Sequence, residues 1–160
     1  MTTITPDQLK RAFGAFPTGV TVVTASTAAG QPLGFTASSF TSVSLSPPLL
    51  LICIDHRSDN IDVFRNAAFF GVNVLAADQS DLSNRFAAEI EDRFNGISWY
   101  QTDNGTPMLN GTLSRFDCAL NAIHTTGDHD ILIGEIIGLT VDDGPALGYF
   151  RGKYGRFDEA

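Results

Sequence analysis

Residues 34–44 form a dense run of serine and threonine, GFTASSFTSVS. In an extended segment, backbone N–H groups and hydroxyls at alternate positions form a ledge of hydrogen-bond donors. Such a ledge would bind a flat heterocycle that carries several acceptors along one edge. The same composition is also typical of a solvent-facing strand, and the run alone leaves both interpretations open.

A polar loop with one cation follows the most apolar run of the chain. Residues 55–60 read DHRSDN, with Arg57 and Ser58 at the centre. A guanidinium, a hydroxyl and free N–H groups at the start of a following helix can together hold a phosphate. The alternative interpretation is an ordinary helix cap in a polar turn.

Two further segments offer ligand contacts. Residues 127–130, GDHD, place His129 at the tip of a predicted hairpin, where an imidazole can donate a hydrogen bond to a carboxamide or a phosphate. Residues 149–157, YFRGKYGRF, interleave aromatic rings with cations and could stack on a planar ligand. The simpler alternatives are a surface histidine and a plain final strand.

Several common sites lack a matching motif. The sequence contains no GxGxxG, GxxxxGK[ST], HExxH, GxSxG or CxxC pattern. A Rossmann site, a phosphate-binding P-loop, a zincin and an α/β-hydrolase are therefore unsupported. Cys118, His124 and His129 could suggest a metal site, but they lack the clustering of metal ligands, and no metal is predicted.

The elements that would position these groups are mostly strands. Short helices are predicted after Thr5–Pro6, after residue 60 and over residues 78–88. Runs rich in β-branched and apolar residues predict strands at 19–25, 33–40, 49–54, 68–75 and 147–150, with two long alternating runs at 116–122 and 131–139. In the second long run Ile131, Ile133, Ile137 and Leu139 share one face. The pattern predicts a mainly β, mostly antiparallel barrel, in place of a doubly wound parallel sheet.

Composition narrows the class of protein further. The 160 residues are 43% hydrophobic and 18% charged, which predicts one domain spanning 1–160. A net charge of −8 disfavours a general binder of nucleic acid or anionic membranes. Cys53 and Cys118 predict reduced thiols in a cytoplasmic protein. Neither a signal peptide nor an apolar run of about 20 residues is predicted.

Taken in order, these segments resemble the small flavin reductases that serve two-component flavin-dependent monooxygenases. The matching stretches are FGAFPTGVTVVTA, GFTASSFTSVSLSPPLLLICID, RSDNIDVFRNAAFFGVNVLAADQSDLSNRFA, RFNGISW, GDHDILIGEI and YFRGKYGRF. They run from about residue 13 to residue 157. The combination of FTASSFTSVS-x-x-PP with the GDH turn is specific, whereas either block alone is weaker.

The resemblance implies an FMN-binding split β-barrel, antiparallel and Greek-key-like, usually a homodimer with the flavin near the subunit interface. His129 would be the catalytic position, which holds the nicotinamide nucleotide. The cofactor-binding positions would be Thr36, Ala37, Ser38 and Ser39 along the flavin ring, Cys53, Ile54 and Asp55 beside it, Ser58 and Asn60 toward its phosphate, Asn73 near the barrel site, Arg151 and Tyr154 in a tail that closes the pocket, and Pro17 and Thr18 in an early turn.

The implied activity is reduction of free FMN or FAD by NADH or NADPH, with reduced flavin supplied to a separate monooxygenase. Hydride transfer requires two stacked rings and no obligatory acid–base side chain. Asp130 beside His129, and His56 beside Arg57, leave the preferred flavin and nicotinamide open. The alternatives are a non-catalytic flavin- or haem-binding module of the same barrel class and an interaction domain with an empty barrel. A histidine at the rim favours the enzyme, because a binding module needs no second nucleotide position.

Overall fold

The structure is a computed structural model and describes residues 3–159. Its helices are α1 (Pro6–Phe13), α2 (Ile61–Asn66) and α3 (Ser80–Ala87). The strands are β1 (Thr18–Gly19), β2 (Thr21–Ser26), β3 (Pro32–Ala37), β4 (Thr41–Leu45), β5 (Pro48–Asp55), β6 (Phe69–Val74), β7 (Trp99–Gln101), β8 (Pro107–Leu109), β9 (Ser114–Thr126), β10 (His129–Val141), β11 (Ala146–Phe150) and β12 (Lys153–Phe157).

A seven-stranded antiparallel sheet dominates the fold, in the order β3-β2-β6-β9-β10-β5-β4. Three hairpins supply most of it, because β2–β3, β4–β5 and β9–β10 are each neighbours in sequence and in space. Smaller sheets join β1 to β11–β12 and β7 to β8. The predicted mainly β, antiparallel architecture with few helices is confirmed.

One face of the large sheet encloses a continuous apolar core, so the sheet curls onto itself. Strands from opposite ends of the hydrogen-bonded order share this core, and Ser39, just after edge strand β3, accepts a 2.9 Å hydrogen bond from Cys53 N on β5. The buried members are Val23 and Ala25 of β2, Ala37 of β3, Leu50, Ile52 and Ile54 of β5, Phe64 of α2, Phe70 and Val72 of β6, Cys118 of β9 and Leu132 of β10.

A second core lies on the other side of β2. It comprises Val20, Val22, Leu75, Phe86, Phe94, Leu109 and Leu147, which join β2 to α3, β8 and β11. Strand β2 is therefore buried on both faces, and its first five residues are all buried. The single domain over residues 1–160 stays a prediction.

Three local features differ from the sequence-based expectations. Strand β3 ends at Ala37, because residues 38–40 leave the ladder and cross to β4. The cationic C-terminal run forms a second hairpin, β11–β12, whose turn places both Arg151 and Gly152 at positive φ. In β10 the inward positions are Asp130, Leu132 and Gly134, so the apolar face with Ile137 and Leu139 points outward.

Helix α1 has the predicted N-terminal cap. Thr5 Oγ1 accepts a hydrogen bond from Gln8 N (3.2 Å), and Thr5 N donates one to Gln8 Oε1 (2.9 Å). Its apolar side is largely uncovered, since Phe13 is 71% and the nearby Phe16 74% exposed. In residues 3–159 no helix has the length and apolarity that crossing a bilayer requires.

Candidate active site

The ends of β3, β5 and β10 meet at one rim of the barrel. Ser39 Oγ accepts from Cys53 N (2.9 Å), and His129 lies opposite Asp55 in the β10–β5 ladder. The structure thus brings together two of the predicted groups and the rim histidine. We call residues 36–39 and 53–55 the shelf.

The shelf carries hydrogen-bond donors that the protein does not use. Within residues 3–159 no hydrogen bond is donated by the backbone N–H groups of Ser38 or Ser39. Ser38 is exposed and Ser39 half-buried, so both amides lie at the surface of the barrel rim. Two adjacent unsatisfied amides can bind acceptors along the edge of a planar ligand.

Other shelf residues contribute in less direct ways. Ala37 and Ile54 are buried, so their side chains support the barrel. Thr36 Oγ1 donates to Ser83 O (2.6 Å), which fixes α3 against β3. The Cys53 thiol is half-buried, and this burial raises its pKa, so that it remains protonated at neutral pH.

Asn60 and Asn73 are buried, and their side-chain amides hydrogen-bond to backbone groups. Asn60 Nδ2 donates to Gly34 O at 3.3 Å. Asn73 has no exposed surface; its Nδ2 donates to Val22 O (3.0 Å) and its Oδ1 accepts from Leu109 N (2.8 Å). Both amides hold backbone segments in place, and Asn73 is fully enclosed.

The polar loop after β5 forms its own ion pair. Arg57 Nη2 lies 2.7 Å from Asp55 Oδ2, and the Arg57 guanidinium holds the pKa of the Asp55 carboxyl well below its usual range. The Arg57 side chain is 88% exposed. Solvent screens an exposed pair of this kind, so an incoming phosphate can compete for the guanidinium. Ser58, one residue on, accepts from Asn60 N (3.3 Å).

His129 is oriented by its neighbour Asp128. The Nδ1 atom lies 2.7 Å from Asp128 Oδ1, and this contact lowers the pKa of the Asp128 carboxyl. An ionised carboxylate only accepts, so Nδ1 carries the proton and Nε2 remains for a ligand. The turn that carries the pair has Gly127 at φ 63°, which suits the first central position of a two-residue hairpin loop.

A buried carboxylate beneath His129 was missed in the sequence analysis. Asp130 has no exposed surface and accepts from Arg65 Nε (2.6 Å), His56 Nε2 (2.9 Å) and Thr125 Oγ1 (2.8 Å). Arg65, the first of these partners, holds its pKa well below the usual range. The one available signal was an aspartate at an inward position of an alternating strand.

Arg93 was also missed, because it lies in the irregular segment after α3. Its Nη1 donates to Gly34 O (3.3 Å), and its Nη2 lies 3.4 Å from Asp59 Oδ2. The side chain is only 11% exposed. Arg93 therefore links β3, which leads into the shelf, to the loop that contains Ser58.

The predicted tail residues divide into two groups. Tyr154 Oη lies 2.9 Å from Ser83 Oγ, and Ser83 O accepts from Thr36, so Tyr154 is connected to the shelf through α3. Arg151 instead stacks on Phe150 and donates its N–H to Gly14 O (2.9 Å). Pro17 lines a groove beside β11–β12, and Thr18 pairs with Tyr149 in that sheet.

In the single chain Ser38 of the shelf is exposed, and Ser39, Cys53 and Asp55 are partly exposed. Grooves of about 580, 600 and 740 Å³ are lined by other residues, at the β2–β3 turn with α2, along β11–β12, and between α1 and the β11–β12 turn. Thr18 Oγ1 is the one solvent-inaccessible side-chain polar atom of residues 3–159 that has no hydrogen-bond partner. No group of three or more potential metal ligands occurs in the same residues.

Comparison with protein-family models matches residues 13–158 to the flavin reductase like domain. A relative named "Probable flavin reductase" from Rhizobium meliloti (strain 1021) is 48% identical over 93% of this chain and 48% of its own length. "FMN reductase (NADH) SmoA" from Agrobacterium fabrum is 45% identical over 92% of this chain and 84% of its own length. The crystal structure of the Streptomyces globisporus NADH:FAD oxidoreductase SgcE6 with NAD and FAD fragments superposes with a TM-score of 0.90, at 37% identity, covering 99% of this chain and 98% of that one.

Coverage differs among the relatives. The chain spans about half the length of two of them, 48% of the Rhizobium meliloti flavin reductase and 47% of the reductase component of an Acinetobacter baylyi trigonelline monooxygenase. The matched family model nevertheless covers almost the whole chain, and it includes the shelf, His129 and the β11–β12 hairpin. The chain belongs to the flavin reductase like domain family.

Proposed function

We propose that this chain is an NAD(P)H-dependent flavin reductase that reduces FMN or FAD and supplies it to a separate monooxygenase. The observation that carries this proposal is the juxtaposition of two unsatisfied amides, at Ser38 and Ser39, with a histidine whose free nitrogen lies at the same barrel rim. A binding module for one flavin would need only the first of these features.

The donor set suits a flavin. Its ring presents several acceptors along one edge, which match the free N–H groups of the shelf, and Arg57 and Ser58 lie in the adjoining loop for a phosphate. When bound, the flavin supplies the acceptor for the hydride that reduced nicotinamide carries. The proposed holders are Thr36, Ala37, Ser38, Ser39, Cys53, Ile54, Asp55 and Ser58, with Asn60, Asn73 and Arg93 as supports.

The protein's own part in the reaction is positioning and electrostatics. Backbone amides at Ser38 and Ser39 stabilise negative charge on a ligand held against them, since preorganised donors cost no reorganisation at the moment of reaction. His129 binds the nicotinamide nucleotide through Nε2, because Asp128 occupies Nδ1. Neither task requires a side chain to take up a proton. Tyr154, with Arg151, Pro17 and Thr18, belongs to a wall beside the shelf in this proposal.

A test of the reaction uses the purified full chain under anaerobic conditions. We expect that addition of FMN or FAD and NADH or NADPH bleaches the flavin and nicotinamide absorbance bands together, and the four pairings give the preferred cofactors. Binding of flavin without nicotinamide oxidation would identify the non-catalytic flavin module. Absence of flavin binding, measured by fluorescence titration, would contradict both.

Transfer of reduced flavin to a monooxygenase is supported by the partial exposure of the shelf. Relatives are named as reductase components, including the Acinetobacter baylyi protein of trigonelline oxidation. A flavin that serves as a substrate must leave after reduction, and a shallow rim with one exposed cation favours release over retention. A cytoplasmic location remains part of the proposal, supported by the free thiols of Cys53 and Cys118.

We also propose a homodimer, because the single chain exposes two sets of apolar side chains. One set is on and after α1, with Phe13 and Phe16. The other lies where the β4–β5 hairpin reaches the outer half of β10, with Leu45 96% exposed and Leu139 60% exposed. Large apolar side chains exposed in groups are typical of protein interfaces.

Sedimentation equilibrium of the wild-type chain is expected to give twice the monomer mass of 17.2 kDa. Leu139→Lys should weaken self-association at least tenfold, because it buries an unpaired charge in the interface. Ile90→Lys is the matched control, since Ile90 is 40% exposed in the segment after α3. A wild-type monomer at micromolar concentration, or an equal effect of both substitutions, would contradict the proposed interface.

A further inference from the structure

The cations of the chain divide into two groups. Of ten lysine and arginine residues, six are held by protein oxygens: Arg57 by Asp55, Arg65 by Asp130, Arg93 by Asp59, Arg115 by Asp142, Arg156 by Asp158, and Arg85 by the carbonyls of Asp92, Arg93 and Asn95. Within residues 3–159 the other four, Lys10, Arg11, Arg151 and Lys153, have no carboxylate within 4.0 Å.

These four cations lie on two elements that touch. Lys10 and Arg11 are in the last turn of α1, Arg151 forms the β11–β12 turn, and Lys153 begins β12. Arg151 N donates to Gly14 O at 2.9 Å, which fixes the turn against the end of the helix. A groove of about 740 Å³ runs between them and is lined by Gln8, Lys10, Arg11, Gly14, Arg151 and Gly152.

An aromatic groove adjoins the basic one. Its volume is about 600 Å³, and Tyr149, Tyr154 and Phe157 line it. Arg151 lines both grooves, and its guanidinium lies 5.0 Å from the centre of the Phe150 ring. Unpaired cations and exposed aromatic faces are therefore side by side on this surface.

The fold alone does not account for this cluster. Cations in the last turn of a helix interact favourably with its dipole, which explains Lys10 and Arg11. Arg151 also meets this end of the helix, through its N–H to Gly14 O, whereas Lys153 lies on β12. In a chain of net charge −8, four unpaired cations on two touching elements create a local field that attracts an anion against the field of the whole protein.

We propose that the two grooves bind the adenosine diphosphate moiety of a dinucleotide, with the diphosphate between Lys10, Arg11 and Arg151 and the adenine against Tyr149 or Tyr154. The cations can form charge-assisted hydrogen bonds to a diphosphate, and the aromatic rings can stack on a purine. The inference rests on the proposed function, because FAD and NAD(P)H share this moiety and FMN lacks it. The basic groove therefore favours FAD or a nicotinamide dinucleotide over a mononucleotide.

The test is calorimetric titration of the full chain with ADP and, separately, with FMN. The double variant Lys10→Gln/Arg11→Gln should raise the Kd for ADP at least tenfold and leave the Kd for FMN within twofold. Both residues are exposed, so the two substitutions should leave the fold intact. Arg115→Gln removes the same charge from β9, outside both grooves, where Asp142 already pairs it, and should change neither Kd more than twofold.

The outcomes separate this inference from the reductase itself. Unchanged ADP affinity in the double variant, or an equal loss of ADP affinity in Arg115→Gln, would overturn the proposed ADP site even if NADH still reduces FMN. Loss of ADP affinity with the double variant supports the groove whether or not turnover occurs. A parallel rise in the Kd for FAD assigns the groove to the flavin, and a rise in KM for NADH or NADPH assigns it to the nicotinamide nucleotide.

Discussion

Replacing His129 with alanine is expected to lower kcat/KM for the nicotinamide nucleotide by about 10- to 100-fold, while the flavin Kd stays within twofold. The loss corresponds to one hydrogen bond to a charged or strongly polar group, worth roughly 1.5–3 kcal/mol. The imidazole is 42% exposed at the hairpin tip, and no hydrogen bond from it reaches the barrel wall among the described residues. Its removal should therefore leave the shelf amides undisturbed. Steady-state kinetics with fluorescence titration of the flavin provides both quantities.

The matched control for His129→Ala is His124→Ala, since His124 lies on the same hairpin and is exposed. It should leave both constants within twofold of wild type. Asp128→Asn should produce a smaller loss than His129→Ala, because the ring remains and only its orientation is relaxed. A rise in flavin Kd that matches the loss in kcat/KM would show that His129 belongs to the flavin site, and would contradict our assignment.

Replacing Asp130 with asparagine is expected to lower the free energy of unfolding by about 1–3 kcal/mol at pH 7, because the buried carboxylate accepts three hydrogen bonds that a neutral amide with one oxygen cannot all accept. The carboxylate joins β10 to α2 through Arg65, to the loop after β5 through His56, and to the adjoining β9 through Thr125. Chemical denaturation measures the change. KM for the nicotinamide nucleotide should also rise, because His129 is the next residue in the same strand.

The stabilisation from Asp130 has a defined pH dependence. An unfolded aspartate titrates near about pH 3.9, and the pKa of Asp130 in the folded protein is lower because of Arg65. Its stabilising contribution is therefore complete above about pH 4 and is lost as the pH falls toward the folded pKa. The difference in unfolding free energy between wild type and Asp130→Asn should shrink as the pH falls below about pH 4.

Asp142→Asn is the control for Asp130→Asn, because Asp142 also pairs with an arginine, Arg115, but is 59% exposed. An exposed ion pair contributes at most about 1 kcal/mol to stability, so Asp142→Asn should lower the free energy of unfolding by less than Asp130→Asn does. An Asp130→Asn variant as stable as wild type, or a difference that widens below pH 4, would show that the buried carboxylate does not stabilise the fold in this way.

Local patterns predicted most of the fold. Thr5, Pro6 and Gln8 specified the start of α1, and the β-branched runs with glycine turns specified the β2–β3 and β9–β10 hairpins. These features depend on residues that are close in sequence. Period-two alternation also identified the apolar face of β10, but it could not show that this face lies outside the barrel, because only the curl of the whole sheet decides which side is enclosed.

The candidate site was predictable in part. Motif resemblance indicated the shelf and His129, and the ladder between β5 and β10 brings them together. The roles of Asp130 and Arg93 could not be predicted, because their partners are distant in sequence: 65 positions separate Arg65 from Asp130, and 59 separate Gly34 from Arg93. The sequence likewise could not show that Thr36 bonds to α3 and that Asn73 is buried against β8, because these partners are also distant in the chain.

Strand β2 forms part of the wall of both apolar cores. The core beneath the shelf and the core that contacts β11 therefore share one strand. If either core opens, β2 is displaced and the other core is exposed to water. Amide protons of β2 should be among the slowest in the chain to exchange with deuterium, since only global unfolding releases them. We therefore expect the two cores to lose their structure together, in one cooperative transition.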